Sequence, residues 1–378
     1  MGLVSAGVVL FPEKPIEYGT EKQLVAVIQD YIHTYLDVDP FYERLAAYYI
    51  LFSWMYDLFE NLPYLRALGD YGTGKTRFIM TIGALCYRPM FASGASTVSP
   101  IFNLIDMFRG TLVIDEADFS NSDSEAEIIK ILNVGYYKKG VVLRSEKDPS
   151  SKDDKYWPSA KMVYGPKILA TRKPFQDRAT ESRCLTRRMT TARPRPDIPF
   201  TLEDNFWAEA AQIRNKLLMY RLRNHKPLRI DQSLADTSVE PRLNQVTMAL
   251  KTVIKDPEMQ KGIDTFIRAY NETMISDRKM TLPAIIVQTL LDINSERATN
   301  LVGDDTRDFT MKGIADRAQS IINDIDPDQR ITAKKVGQIL TEDLGLPRRG
   351  EHPRTKRAIV IFEEEELAAL ALRYGIKL

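Results

Sequence analysis

The chain has 378 residues, enough for two or three domains, and its 52 Lys and Arg against 51 Asp and Glu leave a net charge of +1, so bulk charge selects no class of partner. Two cysteines are too few for a disulfide framework or a zinc site, the three histidines are scattered, and no apolar run is long enough to span a bilayer. The opening MGLVSAGVVLFPEKP lacks the basic stretch of a secretory signal and carries Ala6 where a myristoylation pattern needs Ser or Thr, so a cytoplasmic location and no membrane partner are expected.

Residues 1–62 read as mostly helical. Thr20 and Gln23 have the spacing of a capping box, ahead of a periodic segment that ends near Leu36. Asp39-Pro40 then starts a second helix, FYERLAAYYILFSWMYDLF, apolar enough to be buried against the domain that begins near residue 63. Its aromatic crowding reads as core rather than as a ligand site.

Tyr64–Leu68 is a short apolar strand that stops at GDYGTGKT. Gly69, Gly74, Lys75 and Thr76 fit G-x-x-x-x-G-K-[ST], a loop that cradles phosphates. The glycines let successive N–H groups of Gly69, Asp70, Tyr71, Gly72, Thr73 and Gly74 turn inward as an anion nest, and the helix beginning near Lys75 adds its positive end. Lys75 is expected on the outer phosphates and the Thr76 hydroxyl on Mg²⁺. A fortuitous strand-to-helix loop is the alternative, and the next motif argues against it. In TLVIDEAD, Leu112–Ile114 form a buried strand that ends in Asp115-Glu116. Ligands of parallel sheets lie beyond the carboxyl ends of the strands. There Asp115 is expected to hold Mg²⁺, and Glu116 to polarise the water that attacks the γ-phosphate. Together the two motifs predict an NTP-hydrolysing enzyme.

A short strand is expected near Pro89–Ala92, a helix through Ile101–Phe108, and another containing Ile128, Ile129, Ile131 and Leu132. Val141–Ser145 and Lys161–Tyr164 read as the strands of a long hairpin with a polar tip, followed by a buried strand over Gly165–Thr171. Charge concentrates here: Lys138 to Arg195 holds 16 Lys and Arg against 6 Asp and Glu. A charge run is commonly a solvated face, but on a projecting hairpin Lys147, Lys152 and Lys155 can neutralise nucleic-acid phosphates without reading sequence. Thr171 ends a strand beside the acidic one, where a hydroxyl can position the lytic water. Arg178 and Arg183 come on a short helix after Pro174 and suit a γ-phosphate bound by a neighbouring subunit, while Arg242, just after Pro241, suits the same role in cis. A surface or salt-bridge role is the alternative for each arginine.

After the proline-broken ARPRPDIPF, helices are expected over Thr201–Asn224, Pro241–Ile254 and Pro257–Met274. Ile314, Ala315, Ala318, Ile321 and Ile322 mark one further helix, and Val336, Ile339, Leu340 and Leu344 a second with Thr332 as N-cap. The basic PRRGEHPRTKR, the strand AIVIF and a helix over Glu364–Tyr374 complete the order helix, turn, helix, ribbon of a winged helix. Its candidate DNA contacts are Lys334, Lys335, Arg348, Arg349, Arg354, Lys356 and Arg357. A small helical domain with a solvated basic loop is the plainer reading.

With these pieces in order the chain resembles the AAA+ ATPases, and more narrowly the replication-type ATPases of phages, plasmids and other mobile elements, relatives of the minichromosome-maintenance helicases. The resemblance is carried by GDYGTGKT (Walker A), TLVIDEAD (Walker B), the hairpin before GPKILAT (sensor 1), ESRC (arginine finger) and EPRL (sensor 2), and it covers residues 40–250. Thr171 stands where this class often has Asn. The resemblance implies an α/β fold: a P-loop core with a parallel sheet, flanking helices and a hairpin before sensor 1, then a helical lid and a C-terminal winged helix. The corresponding boundaries are 1–62 for the N-terminal helical segment, 63–200 for the core, 201–300 for the lid and 301–378 for the winged helix. It also implies a ring, usually a hexamer, with ATP between subunits and hairpins around single-stranded or forked DNA. No primase or origin-binding region is evident, so the expectation is either a motor that needs replication partner proteins or a fragment of a larger protein.

Asp115–Asp118 spell DEAD, which invites an RNA-helicase reading. Those enzymes need a second RecA-like domain, for which the helices after residue 200 leave no room. The leading expectation is a DNA helicase or translocase. An ATP-dependent loader or transposition regulator is the second reading, and a sequence-specific DNA-binding protein with a regulatory ATPase the third.

Overall fold

The computed structural model describes residues 2–93, 96–115, 122–147, 156–175, 177–190, 193–299, 309–326, 328–351 and 356–376. It divides into two compact units, Met1–Ile267 and Arg268–Leu378.

The first unit opens with α1 (Glu21–Tyr35) and α2 (Pro40–Ser53). The Thr20–Gln23 capping box is formed, the side chain of each residue accepting from the backbone N–H of the other. Leu24, Val25, Ile28, Tyr31, Ile32 and Tyr35 make the buried stripe of α1. Asp39 caps α2 by accepting from the Tyr42 N–H at 2.9 Å, with Pro40 in the first turn where its missing N–H costs nothing. Eleven of the fourteen α2 residues are buried, as its composition predicts.

Next come β1 (Tyr64–Leu68), α3 (Lys75–Gly83), β2 (Met90–Ser93), α4 (Val98–Phe108), β3 (Leu112–Asp115) and α5 (Ser122–Val134). The hairpin strands β4 (Val141–Lys147) and β5 (Tyr156–Met162) come after them, then β6 (Lys167–Thr171), α6 (Arg178–Glu181) and β7 (Cys184–Arg188). Among the described residues β2-β3-β6-β1-β7 form one sheet in that order, every pair parallel. The architecture is therefore mixed α/β around a five-stranded parallel sheet. β1 and β6 are buried along their whole length, as expected of central strands covered on both faces. The N-terminal segment adds an antiparallel bridge, Val9 to Met90, on the β2 edge.

Two local readings change. The second hairpin strand ends at Met162, which pairs with Val141, whereas the sequence pattern places it over Lys161–Tyr164. Val163 and Tyr164 instead turn into the core, where the Tyr164 hydroxyl donates to the Tyr56 carbonyl at 2.8 Å. The sequence reading also has no strand at Cys184–Arg188, because only its first half is buried and it ends in two arginines. The unit continues with α7 (Asp204–Asn224), α8 (Pro241–Val253) and α9 (Pro257–Lys279), inside which the boundary falls.

The second unit contains α10 (Leu282–Thr299), α11 (Met311–Ile325), α12 (Ala333–Glu342), the antiparallel pair β8 (Arg349–Glu351) and β9 (Ala358–Val360), and α13 (Glu364–Tyr374). Ile286, Leu290, Ile314, Ala318, Ile339 and Leu340 are among its fully buried core residues. Thr332 caps α12, accepting from the Lys335 N–H at 3.2 Å. The α10 helix is absent from the sequence reading: its run Ala284–Val287 is apolar on consecutive positions, which erases the helical period.

Candidate functional site

The loop between β1 and α3 leaves the carboxyl end of a central strand, with β6 on one side and β7 on the other. Gly74 sits at φ +87° as N-cap of α3, a left-handed conformation that side chains rarely adopt. Gly69 is required for space: a Cβ there would lie 2.4 Å from the Met189 carbonyl oxygen and 2.7 Å from Thr73 Oγ1. Lys75 Nζ donates to the Asp70 carbonyl at 2.7 Å, and Thr73 Oγ1 donates to the same oxygen at 2.8 Å. Tyr71 projects into solvent, with the Arg172 guanidinium 4.9 Å from its ring centroid.

Thr76 Oγ1 donates to Asp115 Oδ2 at 2.8 Å. The two residues are 39 positions apart and are brought together because β3 and α3 lie against the same end of the sheet. Two hard oxygen donors at this separation, one of them anionic, are chemically suited to Mg²⁺. Thr171 ends β6 between β1 and β3, fully buried, and its Oγ1 has no hydrogen-bond partner among the described residues. A buried hydroxyl left unsatisfied at the mouth of a site is a place for a water or substrate oxygen. Glu116 lies outside the described residues.

The expected arginines lie elsewhere. Arg183 is 5% exposed; its backbone carbonyl accepts from the Tyr64 N–H at the start of β1, and its guanidinium packs 4.2 Å from the Tyr136 ring centroid. Arg242 donates to the Tyr136 hydroxyl at 2.9 Å. Burial opposes ionisation of that phenol, but hydrogen bonds and charge from Arg242 and Arg183 outweigh it and hold the pKa below the usual phenol value. The Tyr136 carbonyl accepts from the Leu62 N–H, so this cluster sits at the amino end of β1, roughly 20 Å along the strand from the loop. In this chain Arg242 is held by the Tyr136 hydroxyl and by Gln245. Arg178 is exposed in the first turn of α6.

The hairpin pairs Lys147 with Tyr156 and Glu146 with Trp157. Lys147 is exposed, and Tyr156 and Trp157 are 69% and 68% exposed. Lys152 and Lys155 lie outside the described residues. The hairpin's base is tied to the unit by Arg144, which stacks on Phe102 at 4.5 Å and pairs with Glu127 at 3.5 Å. In the second unit Lys334 and Lys335 are exposed on α12. Arg348 is tied to Glu363 and Glu366, Lys356 lies 3.8 Å from Glu351, Arg357 is exposed, and Arg354 lies outside the described residues.

Sequence reasoning missed one part of the site. A cavity of about 240 Å³ continues from Gly72–Gly74 between the end of α1 and the connector at residues 194–200. Its walls come from segments some 150 residues apart, none carrying a motif, so no local signal reveals it.

No family model matches the chain, and no curated protein does. Among solved structures it is similar to the apo C-terminal region of NrS-1, at 14% identity over 92% of this chain and 77% of that one, with a TM-score of 0.38. The SCCmec type IV Cch active helicase gives 13% identity over 96% and 72% with a TM-score of 0.42, and Drosophila ORC bound to DNA gives 11% over 96% and 96% with 0.21. No helix among the described residues is long and apolar enough to cross a membrane.

Proposed function

We propose that this chain is an ATP-hydrolysing DNA motor, a replicative helicase or translocase of a mobile genetic element that works as a ring, with a hexamer as the expected form. The observation that carries the reading is the meeting of Thr76 and Asp115 at 2.8 Å beneath a left-handed glycine loop at the carboxyl end of a parallel sheet. In this reading residues 63–200 are a P-loop core, 201–300 a helical lid that runs from the first unit into the second, and 301–378 a winged helix.

Lys75 exchanges the Asp70 carbonyl for outer phosphate oxygens, and backbone N–H groups of the loop take the rest, without that of Gly69, which donates to the Thr171 carbonyl at 3.2 Å, and that of Tyr71, which donates to Asp70 Oδ1 at 2.7 Å. Thr76 and Asp115 hold Mg²⁺, which when bound offsets the charge of the phosphates. Glu116 polarises the attacking water and Thr171 Oγ1 holds it in line. Arg178, exposed on α6, and Arg183, packed on Tyr136, serve a neighbouring subunit's γ-phosphate, with Arg242 on the same Tyr136. Lys147 and its neighbours at the hairpin tip meet the DNA backbone, and Lys334, Lys335 and Arg357 give the second unit its own grip.

The test is unwinding of a forked DNA by the purified protein with ATP and Mg²⁺, with Lys75→Ala alongside. Strand separation by the wild type alone supports the motor. Hydrolysis and DNA binding without separation removes the stand-alone motor and puts the loader reading first.

A further inference from the structure

The cavity beside the glycine loop is bounded by Leu36 and Asp37 just after α1, by Arg77 on α3, and by Met189, Ile198 and Phe200. Leu36, Met189 and Ile198 are each less than a tenth exposed, so the walls are apolar and held by the core behind them. Gly72, Thr73 and Gly74 form its inner end. A ligand whose phosphates fill the loop would therefore place its next group here.

Three features say what that group is. Phe200 is 96% exposed at the rim, a large aromatic face turned to solvent. Arg77 donates from Nη2 to the Phe200 carbonyl at 2.7 Å, while its Nη1 is buried with no hydrogen-bond partner among the described residues, which calls for an acceptor oxygen or nitrogen from a ligand. Asp37 is an acceptor only. Its Oδ2 takes the Arg195 N–H at 3.0 Å, and an ionised carboxylate keeps further lone pairs for a donor in the cavity. A flat ring that donates an N–H at its far edge, offers a ring nitrogen as acceptor to Arg77 Nη1 and carries a phosphorylated tail matches all three.

We propose that this slot holds the adenine base, with Phe200 stacked on its face and the Asp37 carboxylate accepting from its 6-amino group. The proposal rests on the triphosphate reading of the loop and adds the residues that select the base. The connector at residues 194–200 also becomes a strap over the nucleotide, held to α1 by the bonds of Arg195 to Asp37 and His33.

The test is equilibrium binding by calorimetry of the full chain with three ligands: ATP, purine riboside triphosphate (no 6-amino group) and inorganic tripolyphosphate. The wild type should bind ATP about tenfold or more tighter than purine riboside triphosphate, and tripolyphosphate more weakly still. Asp37→Ala should make the first two equal. Phe200→Ala, at an exposed position that leaves the fold intact, should weaken both about tenfold. Tripolyphosphate binding should be unchanged in both variants, while Lys75→Ala should weaken all three ligands. ATP binding unaffected by Asp37→Ala and Phe200→Ala but lost with Lys75→Ala would overturn the base slot and leave the phosphate loop standing. Failure of the wild type to bind either ATP or tripolyphosphate would overturn both.

Discussion

The two ends of the parallel sheet handle positive charge in opposite ways. At the carboxyl end Lys75 is half-exposed and rests on a single backbone oxygen of the loop that carries it. At the amino end the cations are buried and set against rings: Lys167 lies 4.9 Å from the Tyr64 ring centroid, and Arg183 4.2 Å from that of Tyr136. Lys167 is fully buried and its ammonium donates to the carbonyls of Gly165, Val163 and Gly135 at 2.9, 3.0 and 3.2 Å, which uses all three of its protons. A cation that waits for a ligand has a partner it can exchange. A cation that holds a fold is desolvated, in Lys167 also saturated, and losing its partner is costly.

The largest effect expected from this contrast is on turnover. Lys75→Ala should lower ATP hydrolysis by about 10²–10³-fold, as for removal of one preorganised donor to developing charge. Its melting temperature should stay at the wild-type value, because the lysine's present bond is within one exposed loop. A loss of stability comparable to the loss of activity would break the contrast at its first point.

Next is Glu181→Ala. Arg66 stands in the middle of β1, 1% exposed, and pairs with Glu181 through both terminal nitrogens; Thr186 accepts from it as well. Removing the carboxylate leaves a buried guanidinium without its charged partner, at a cost of about 3 kcal/mol. Thermal unfolding should show a fall of roughly 6–12 °C. ATP affinity per folded molecule should be unchanged.

These two ends are unequally legible in the sequence. The loop can be read because its geometry is dictated by eight consecutive residues, and Asp115 because an apolar strand ending in acid is also a local pattern. The capping box at Thr20 and the Thr332 cap are legible for the same reason. The base slot is not, since Leu36 and Ile198 meet only through the tertiary fold. Arg183 and Arg242 stand out as charges in the sequence, but Tyr136, which gathers both, carries no motif. In Lys167 the sequence shows only a polar residue at the start of an apolar strand. That its three acceptors come from the end of α5 and the turn before β6 is a fact of packing.

Lys167 gives a prediction in pH. Burial lowers its pKa from 10.5 to about 7 in the folded chain. Between about pH 7 and 10.5 the unfolded state then binds more protons than the folded one, so this group makes stability rise with pH across that window, and its burial penalty is felt in full below it. Denaturant unfolding at pH 7 and 8.5 should show this contribution as on the order of 1–2 kcal/mol, and Lys167→Met should remove that part of the slope. A Met variant with the wild-type slope would mean that the ammonium stays charged across the window, held by its three carbonyls.

The smallest effect tests whether the ends are independent. Tyr136→Phe keeps the ring under Arg183 and removes the hydroxyl, which accepts from Arg242 at 2.9 Å and is also hydrogen-bonded by Arg183. A half-exposed hydrogen bond to a charged donor contributes about 1 kcal/mol, so the melting temperature should fall by only a few degrees. ATP binding by the single subunit should not change, since the cluster lies roughly 20 Å along the strand from the loop. If the arginines gathered on Tyr136 serve a neighbour's site, as proposed above, hydrolysis should respond only under conditions where subunits assemble. Concentration dependence of the rate separates these possibilities: a defect confined to high protein concentration supports an amino end that acts on another copy. A defect of equal size at every concentration would instead show that the two ends of β1 are coupled within one chain.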